Sequence, residues 1–174
     1  MDNDFDFRPM RRSRQQLGDK ECSDILSRGS SGVLACLGDG GYPYAVPLSY
    51  VWDGKKIYFH CAKSGHKLDA VRACDKVSFC VVGSDDVVPE KYTTCYRSVI
   101  VFGRIAEITD PAEKRRAIEI LADKYNPSAS AGYRDRFIDA EWDPLCMLCL
   151  TPEHITGKEA IELAKLKTEV EKNT

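Results

Sequence analysis

Between Tyr42 and Lys67 the chain reads YPYAVPLSYVWDGKKIYFHCAKSGHK, two β-rich runs flanking Asp53-Gly54. Asp-Gly readily supplies the two positive-φ residues of a tight hairpin turn, so the dipeptide predicts a register as well as a bend. With Trp52 opposite Lys55, the ladder pairs Tyr50 with Ile57, Leu48 with Phe59 and Val46 with Cys61 on one face. Those three pairs are the expected core. The other face sets Ser49 against Tyr58 and Pro47 against His60, a mixture of hydroxyl, ring and imidazole for which a structural surface has little use. It is the expected working face.

The second run leads directly into Ala62-Lys63-Ser64-Gly65-His66-Lys67 and a helical pattern to about Ala73, with Ser64 as the candidate N-cap. Lys67 then falls in the first turn, where a cation opposes the helix dipole and unpaired N–H groups point outward. A bound anion resolves that conflict. So does a lysine whose head bends into water, since the conflict is worth only about 0.3–1 kcal/mol. The motif alone leaves both readings open.

The rest of the chain frames this stretch. Its 174 residues suit one domain with a real core, residues 19–158, between an N-terminal arm (1–18) and a C-terminal helix or tail (159–174). Asp19 to Arg28 has helical spacing, and Val33 to Leu37 is a short buried strand ended by Gly38-Asp39-Gly40-Gly41. Lys76 to Val82 is strand-like, Gly83 to Glu90 reads as a polar loop, and Thr93 to Ile108 is one long strand in which Gly103 marks a bulge. Asp110-Pro111-Ala112-Glu113 is a capping signature for a helix that Asn126-Pro127 stops. A shorter helix around Tyr133 to Ile138 precedes a strand from Leu145 through Ile155 to a Thr156-Gly157-Lys158 turn, and Glu159 to Val170 reads as a surface helix. Strands joined by short turns, with too few helices for βαβ repetition, indicate a mainly β, antiparallel barrel.

Several chemistries fall away. Net charge is −2 and the one basic cluster is Arg11, Arg12 and Arg14, so no nucleic-acid groove is expected. No apolar run approaches the ~20 residues of a membrane span, and Met1 to Arg14 lacks an apolar signal core, which makes the cytoplasm the expected location. Thr156-Gly157-Lys158 is not a P-loop, because Pro152 and Glu159 stand where glycine and Ser or Thr are needed. The eight cysteines lie mostly in apolar strands as small hydrophobes, and Cys146 and Cys149 would point to opposite faces of one strand, so no metal site is expected there. His60, His66 and His154 are too scattered for a three-histidine site.

In order and spacing, MRRSRQQL, GVLACLGDGGYPYAVPLSYVW, KIYFHCAKSGHKLDAVR, KVSFCVV and YRSVIVFGRI resemble the flavin-binding split-barrel family related to pyridoxamine 5′-phosphate oxidase. Within it, the nitroimidazole-resistance branch is the nearest likeness, over about Met10 to Lys158. The resemblance implies a six-stranded antiparallel Greek-key barrel and a homodimer holding two FMN molecules, or FAD in their place, in clefts shared between subunits. By position, Pro47, Leu48 and Ser49 with Phe59, His60, Cys61 and Ala62 would line the isoalloxazine and ribityl chain, largely through backbone groups. Lys67 and His66 at the helix start would hold the phosphate, with Ser98 a further contact from the long strand.

It also implies hydride transfer through flavin N5, from NADH or NADPH to a nitroaromatic or similar acceptor, with His60, or else His66, beside the substrate. The competing reading is a flavin- or haem-binding protein without turnover. The C-terminal LCLTPEHITGKEAIELAKLKTEV lacks the arginine-rich segment of pyridoxamine 5′-phosphate oxidase proper, so oxidation of vitamin B6 phosphates is not expected.

Overall fold

The computed structural model describes residues 6–172; residues 1–5 and 173–174, the outer ends of the expected arm and tail, lie outside the described residues. The chain runs β1 (Gln16–Leu17), α1 (Asp19–Arg28), β2 (Ser31–Leu37), β3 (Pro43–Ser49), β4 (Val51–Trp52), β5 (Ile57–Ala62) and α2 (His66–Ala73). It continues through β6 (Lys76–Val88), β7 (Thr93–Glu107), α3 (Pro111–Tyr125), α4 (Ala131–Ala140), β8 (Leu145–Glu159) and α5 (Ile161–Lys172). The strands make one antiparallel sheet in the order β3-β2-β6-β7-β8-β5-β4, with β1 on β8. The described residues form eight strands where six were expected, and two of them, β1 and β4, hold only two residues each.

The predicted long hairpin does not form. Residues 43–52 are one extended run broken at Tyr50, whose first part pairs with β2 (Val33↔Pro47, Ala35↔Ala45) and whose second pairs with β5 (Val51↔Tyr58, Trp52↔Ile57). Two contacts explain the departure. Asp53 accepts on Oδ1 from the N–H groups of Lys55 (2.9 Å) and Lys56 (2.7 Å), which opens the turn to four residues and moves the register by two. At the break, the Tyr125 hydroxyl of α3 accepts from Tyr50 N–H at 3.0 Å and lies within donating reach of the Tyr50 carbonyl (3.1 Å) and the Ser30 carbonyl. A side chain thus takes the place of a neighbouring strand for backbone groups that could not be buried unpaired.

The sheet curls so that one face encloses a core of Leu26, Leu34, Tyr50, Phe59, Phe79, Val99, Val101, Leu148 and Leu150. Phe79 meets the rings of Tyr50 and Phe59 edge-on at 4.9 and 5.0 Å, an arrangement worth about 0.5–1.5 kcal/mol per pair. On the outside of β5 and β8, Tyr58, Met147 and Cys149 pack under Ala117 and Leu121 of α3. Alternation along the strands produces this two-sided burial, with Cys146 in the inner cluster and Cys149 in the outer.

Local signals shape the remaining elements. Asp110 caps α3 by accepting from Glu113 N–H at 2.7 Å. Gly103 marks a register shift, pairing with Pro152 while Phe102 pairs with His154, and a Cβ there would stand 2.2 Å from the Thr151 carbonyl oxygen. Two loop expectations are corrected. β6 continues through Gly83, which is the extra residue of a bulge, to Val88 as a two-stranded ribbon with β7. Thr156-Gly157-Lys158 stays in β8, and the glycine serves close approach, since a Cβ would meet Cys22 Sγ at 2.4 Å. α5 is tied down by buried Glu159, which pairs with Arg97 (3.1 Å) and Lys167 (2.8 Å).

Candidate functional site

Among the described residues β3 pairs only with β2, and Phe59 to Ala62 pair only with β8, so two strand edges have no ladder partner there. These edges come within 8 Å, Cα to Cα, without hydrogen-bonded pairing. The barrel is therefore split along a seam between β3 and β5, where backbone donors and acceptors are available to something other than a strand. The predicted Pro47–His60 ladder would have closed it.

Side chains at the seam sort by strand alternation. Val46, Leu48 and Cys61 pack against the inner core and Phe59 is fully buried there, so Leu48, Phe59 and Cys61 can offer the seam only backbone groups. Pro47, Ser49, His60 and Ala62 are exposed on the outer side. Tyr58 does not belong to the working face: α3 covers it, and its hydroxyl donates to Asp53 (3.1 Å) and accepts from Arg116 (2.6 Å).

α2 begins at the end of the seam. Its N-cap is Gly65, at φ 120°, rather than Ser64, and no side chain caps the first turn. A backbone at that φ favours glycine strongly. Lys67 makes no hydrogen bond or ion pair among the described residues, yet its charge is felt at His60, Cys61 and Cys36. His66 stacks on Tyr44 with ring centroids 4.2 Å apart and brings Nε2 to 3.8 Å from Asp39. Although His60 keeps an exposed edge, desolvation of its ring by the protein packed around it, and after it the Lys67 charge, hold the imidazole below the usual histidine pKa. It is a neutral donor and acceptor at pH 7.

The structure thus brings together Pro47, Ser49, His60, Ala62, His66 and Lys67. It does not bring Ser98 to them. Ser98 pairs with Val82 and Lys158 at the far end of β7, on an outward face where Val33, Leu37, Val82 and Ile100 are 36–58% exposed. His154 is on that face too, stacked on Phe7 at 4.7 Å. A hollow of about 610 Å³ beside Phe7 is lined by Leu37, Pro43, Ser78 and Phe102 and contains none of the expected site residues.

Sequence reasoning missed the wall contributed by α3. Ile118, Leu121, Ala122 and Tyr125 face Ser49 and His60 across a cleft of about 220 Å³. The helical stripe itself was readable, since Ile118, Leu121, Ala122 and Tyr125 recur at helical spacing. What it would cover was not.

An antiparallel barrel left open along one seam, with polar side chains and a lysine-bearing helix start beside the opening, defines a split-barrel protein. The chain belongs to the pyridoxamine 5′-phosphate oxidase family, whose model matches residues 18–159. Among solved structures it is similar to a protein ascribed to 5-nitroimidazole antibiotic resistance from Bacteroides thetaiotaomicron, at 19% identity and a TM-score of 0.69, over 83% of this chain and 86% of that one. A FAD-binding protein from Mesorhizobium loti is 26% identical, with a TM-score of 0.62 over 84% and 97% of the two chains. A FAD and haem binding protein from Mycobacterium smegmatis is 19% identical, with a TM-score of 0.67 over 84% and 73%. These are likenesses of fold. No curated protein matches the chain. Among the described residues, no helix is long and apolar enough to cross a membrane.

Proposed function

We propose that this chain is a flavin-dependent oxidoreductase that binds FMN, with FAD the alternative, along the β3–β5 seam. The observation that carries the reading is the pairing of two unpartnered strand edges with an uncapped helix start bearing an unpaired Lys67. The seam offers backbone hydrogen bonds from residues 47–49 and 59–62 to the polar edge of a ring. Lys67 and the α2 N–H groups offer charge to a phosphate. The residues therefore fit a phosphorylated tricycle, and similar structures described as FAD-binding support the same ligand class.

When bound, the flavin supplies two-electron hydride chemistry between a reduced nicotinamide and an acceptor such as a nitroaromatic. The chain's own residues position and screen. Lys67 would hold the phosphate. His60, kept neutral, presents a hydrogen-bond donor or acceptor beside the reacting face without introducing charge. α3 covers one side of the cleft with the apolar side chains of Ile118, Leu121 and Ala122.

The outward face carrying Val33, Leu37, Val82 and Ile100 is the surface on which a second copy would sit, bringing the partner's sheet toward the seam. Light scattering should then give twice the 19.5 kDa chain mass.

The test is a spectrum followed by turnover. The protein reconstituted with FMN should show the flavin absorption bands and no haem band. Anaerobic reduction by NADH or NADPH, then reoxidation by a nitroimidazole faster than with free FMN, is the expected outcome. Reoxidation no faster than free FMN rejects the enzyme.

A further inference from the structure

We infer that the cleft between α3 and the seam is a subsite for a small, uncharged, monocyclic ring, and that Ala122 and Ile118 set the size it accepts. As the place where an acceptor is held, the subsite rests on the flavin reading above; as a binding site, it stands on its own geometry.

The cleft is built from three elements, β3, β5 and α3, and α3 fits over β5 because Ala117 and Leu121 lock into the outer cluster with Tyr58 and Met147. Ile118, Ala122 and Tyr125, with an edge of Leu121, form one wall, and Ser49 and His60 form the other. Its volume, about 220 Å³, is below the roughly 300–1,000 Å³ typical of sites for drug-sized ligands and above the roughly 150 Å³ that takes a bare benzene, which matches a ring carrying a substituent.

The polarity of the cleft is equally restrictive. The Tyr125 hydroxyl is committed to Tyr50 and Ser30. The nearby Lys124 ammonium is committed as well, donating to the Gly29 carbonyl at 2.6 Å and lying 3.9 Å over the Tyr50 ring. Ser49 and His60 remain, and neither side chain makes a hydrogen bond or ion pair among the described residues. A ligand therefore meets one hydroxyl and one imidazole on an otherwise apolar surface. The lining itself holds no cation to pair with a carboxylate or phosphate; Lys67, whose charge reaches His60, lies outside it, so an anion entering the cleft would shed water for no direct ionic partner. A nitro or carbonyl group on a neutral ring, by contrast, finds one donor from β3 and one from β5, on either side of the seam.

Ala122 is the residue that keeps the cleft open. It is half-buried on the α3 stripe, and any larger side chain there projects into the space that Ile118 and Tyr125 flank. Ile118 bounds the other direction, and its truncation enlarges the cleft without touching the seam.

Calorimetric titration with nitrobenzene and 4-nitrobenzoate, which differ by one charged group, tests the inference on the intact protein with or without FMN. Nitrobenzene is expected to bind at least ten-fold more tightly than 4-nitrobenzoate. Ala122→Phe should weaken nitrobenzene at least ten-fold while FMN affinity, read from fluorescence quenching, stays within about two-fold. Ile118→Ala should admit 1-nitronaphthalene, which the unaltered cleft excludes, and this second variant keeps the test intact if Ala122→Phe fails to fold. Equal binding of the neutral and anionic probes, or nitrobenzene affinity unchanged in Ala122→Phe, overturns the inference. Nitrobenzene binding that obeys these rules in a protein that never binds FMN sinks the flavin reading and leaves the subsite.

Discussion

Replacing Tyr125 with phenylalanine isolates the contact that holds the broken strand. The ring packing survives, and only the hydroxyl that serves Tyr50 and Ser30 is lost. Tyr50 is fully buried, so leaving its N–H without an acceptor costs about 1–3 kcal/mol, and the hydroxyl's own donated bond adds about 0.5–1.5 kcal/mol. Tyr125 is 44% exposed, which lets water recover part of the loss, and the net destabilisation expected for Tyr125→Phe is about 1–3 kcal/mol. With a urea m-value of about 2 kcal/mol/M, the unfolding midpoint should fall by roughly 0.5–1.5 M at unchanged slope. Fluorescence and circular dichroism should give coincident curves, and the Tyr50 amide should lose protection in hydrogen exchange. A midpoint within about 0.2 M of the wild type, with Tyr50 still protected, would refute the idea that a side chain completes this strand.

Three further outcomes follow from the structure. Lys67→Ala should weaken FMN binding by about 1.5–3 kcal/mol, roughly 10–150-fold by fluorescence quenching, and an unchanged affinity would place the phosphate elsewhere. Gly103→Ala should cost about 1–3 kcal/mol in thermal or urea unfolding, because its Cβ has backbone rather than a flexible side chain in the way. His60 should make stability pH-dependent: its folded pKa lies below the unfolded value of 6.5, so the unfolded chain protonates first and stability falls as pH drops below about 6.5. His60→Gln should flatten that slope in urea titrations between about pH 5 and 8.

What could be read in the sequence was what local chemistry decides. α1 and α3 begin and end where spacing and capping residues place them, and Gly103 sits at a register shift, although the extra residue there is Glu153 of β8 rather than one of the long strand. The inner and outer faces of residues 44–61 were also legible, since alternation survives a change of partner: Val46, Leu48 and Cys61 face inward and Pro47, Ser49 and His60 outward in spite of the altered pairing. The register was not legible. It depends on a carboxylate in Asp53 that bonds forward to two amides, and on a hydroxyl 75 residues away that permits a break at Tyr50. The ribbon at residues 84–96 was hidden by Asp85 and Asp86, polar residues that suit a solvent-flanked strand as well as a loop. For the candidate site, Lys67 at a helix start was visible from its conflict with the dipole, whereas the α3 wall over His60 depends on long-range packing that no motif encodes.

The interrupted run through Tyr50 has a consequence for how the molecule comes apart. Its first seven residues belong to the β2–β6 wall and its last two to the β5–β8 wall, so a single length of backbone is shared by both. Neither wall can detach without pulling on a strand that the other is holding, and α3 clamps the shared point from outside. Opening should therefore be all-or-none across the two walls, with amides on β2 and β5 exchanging at one common free energy, while the two-stranded ribbon beyond Gly83 frays on its own at a lower one.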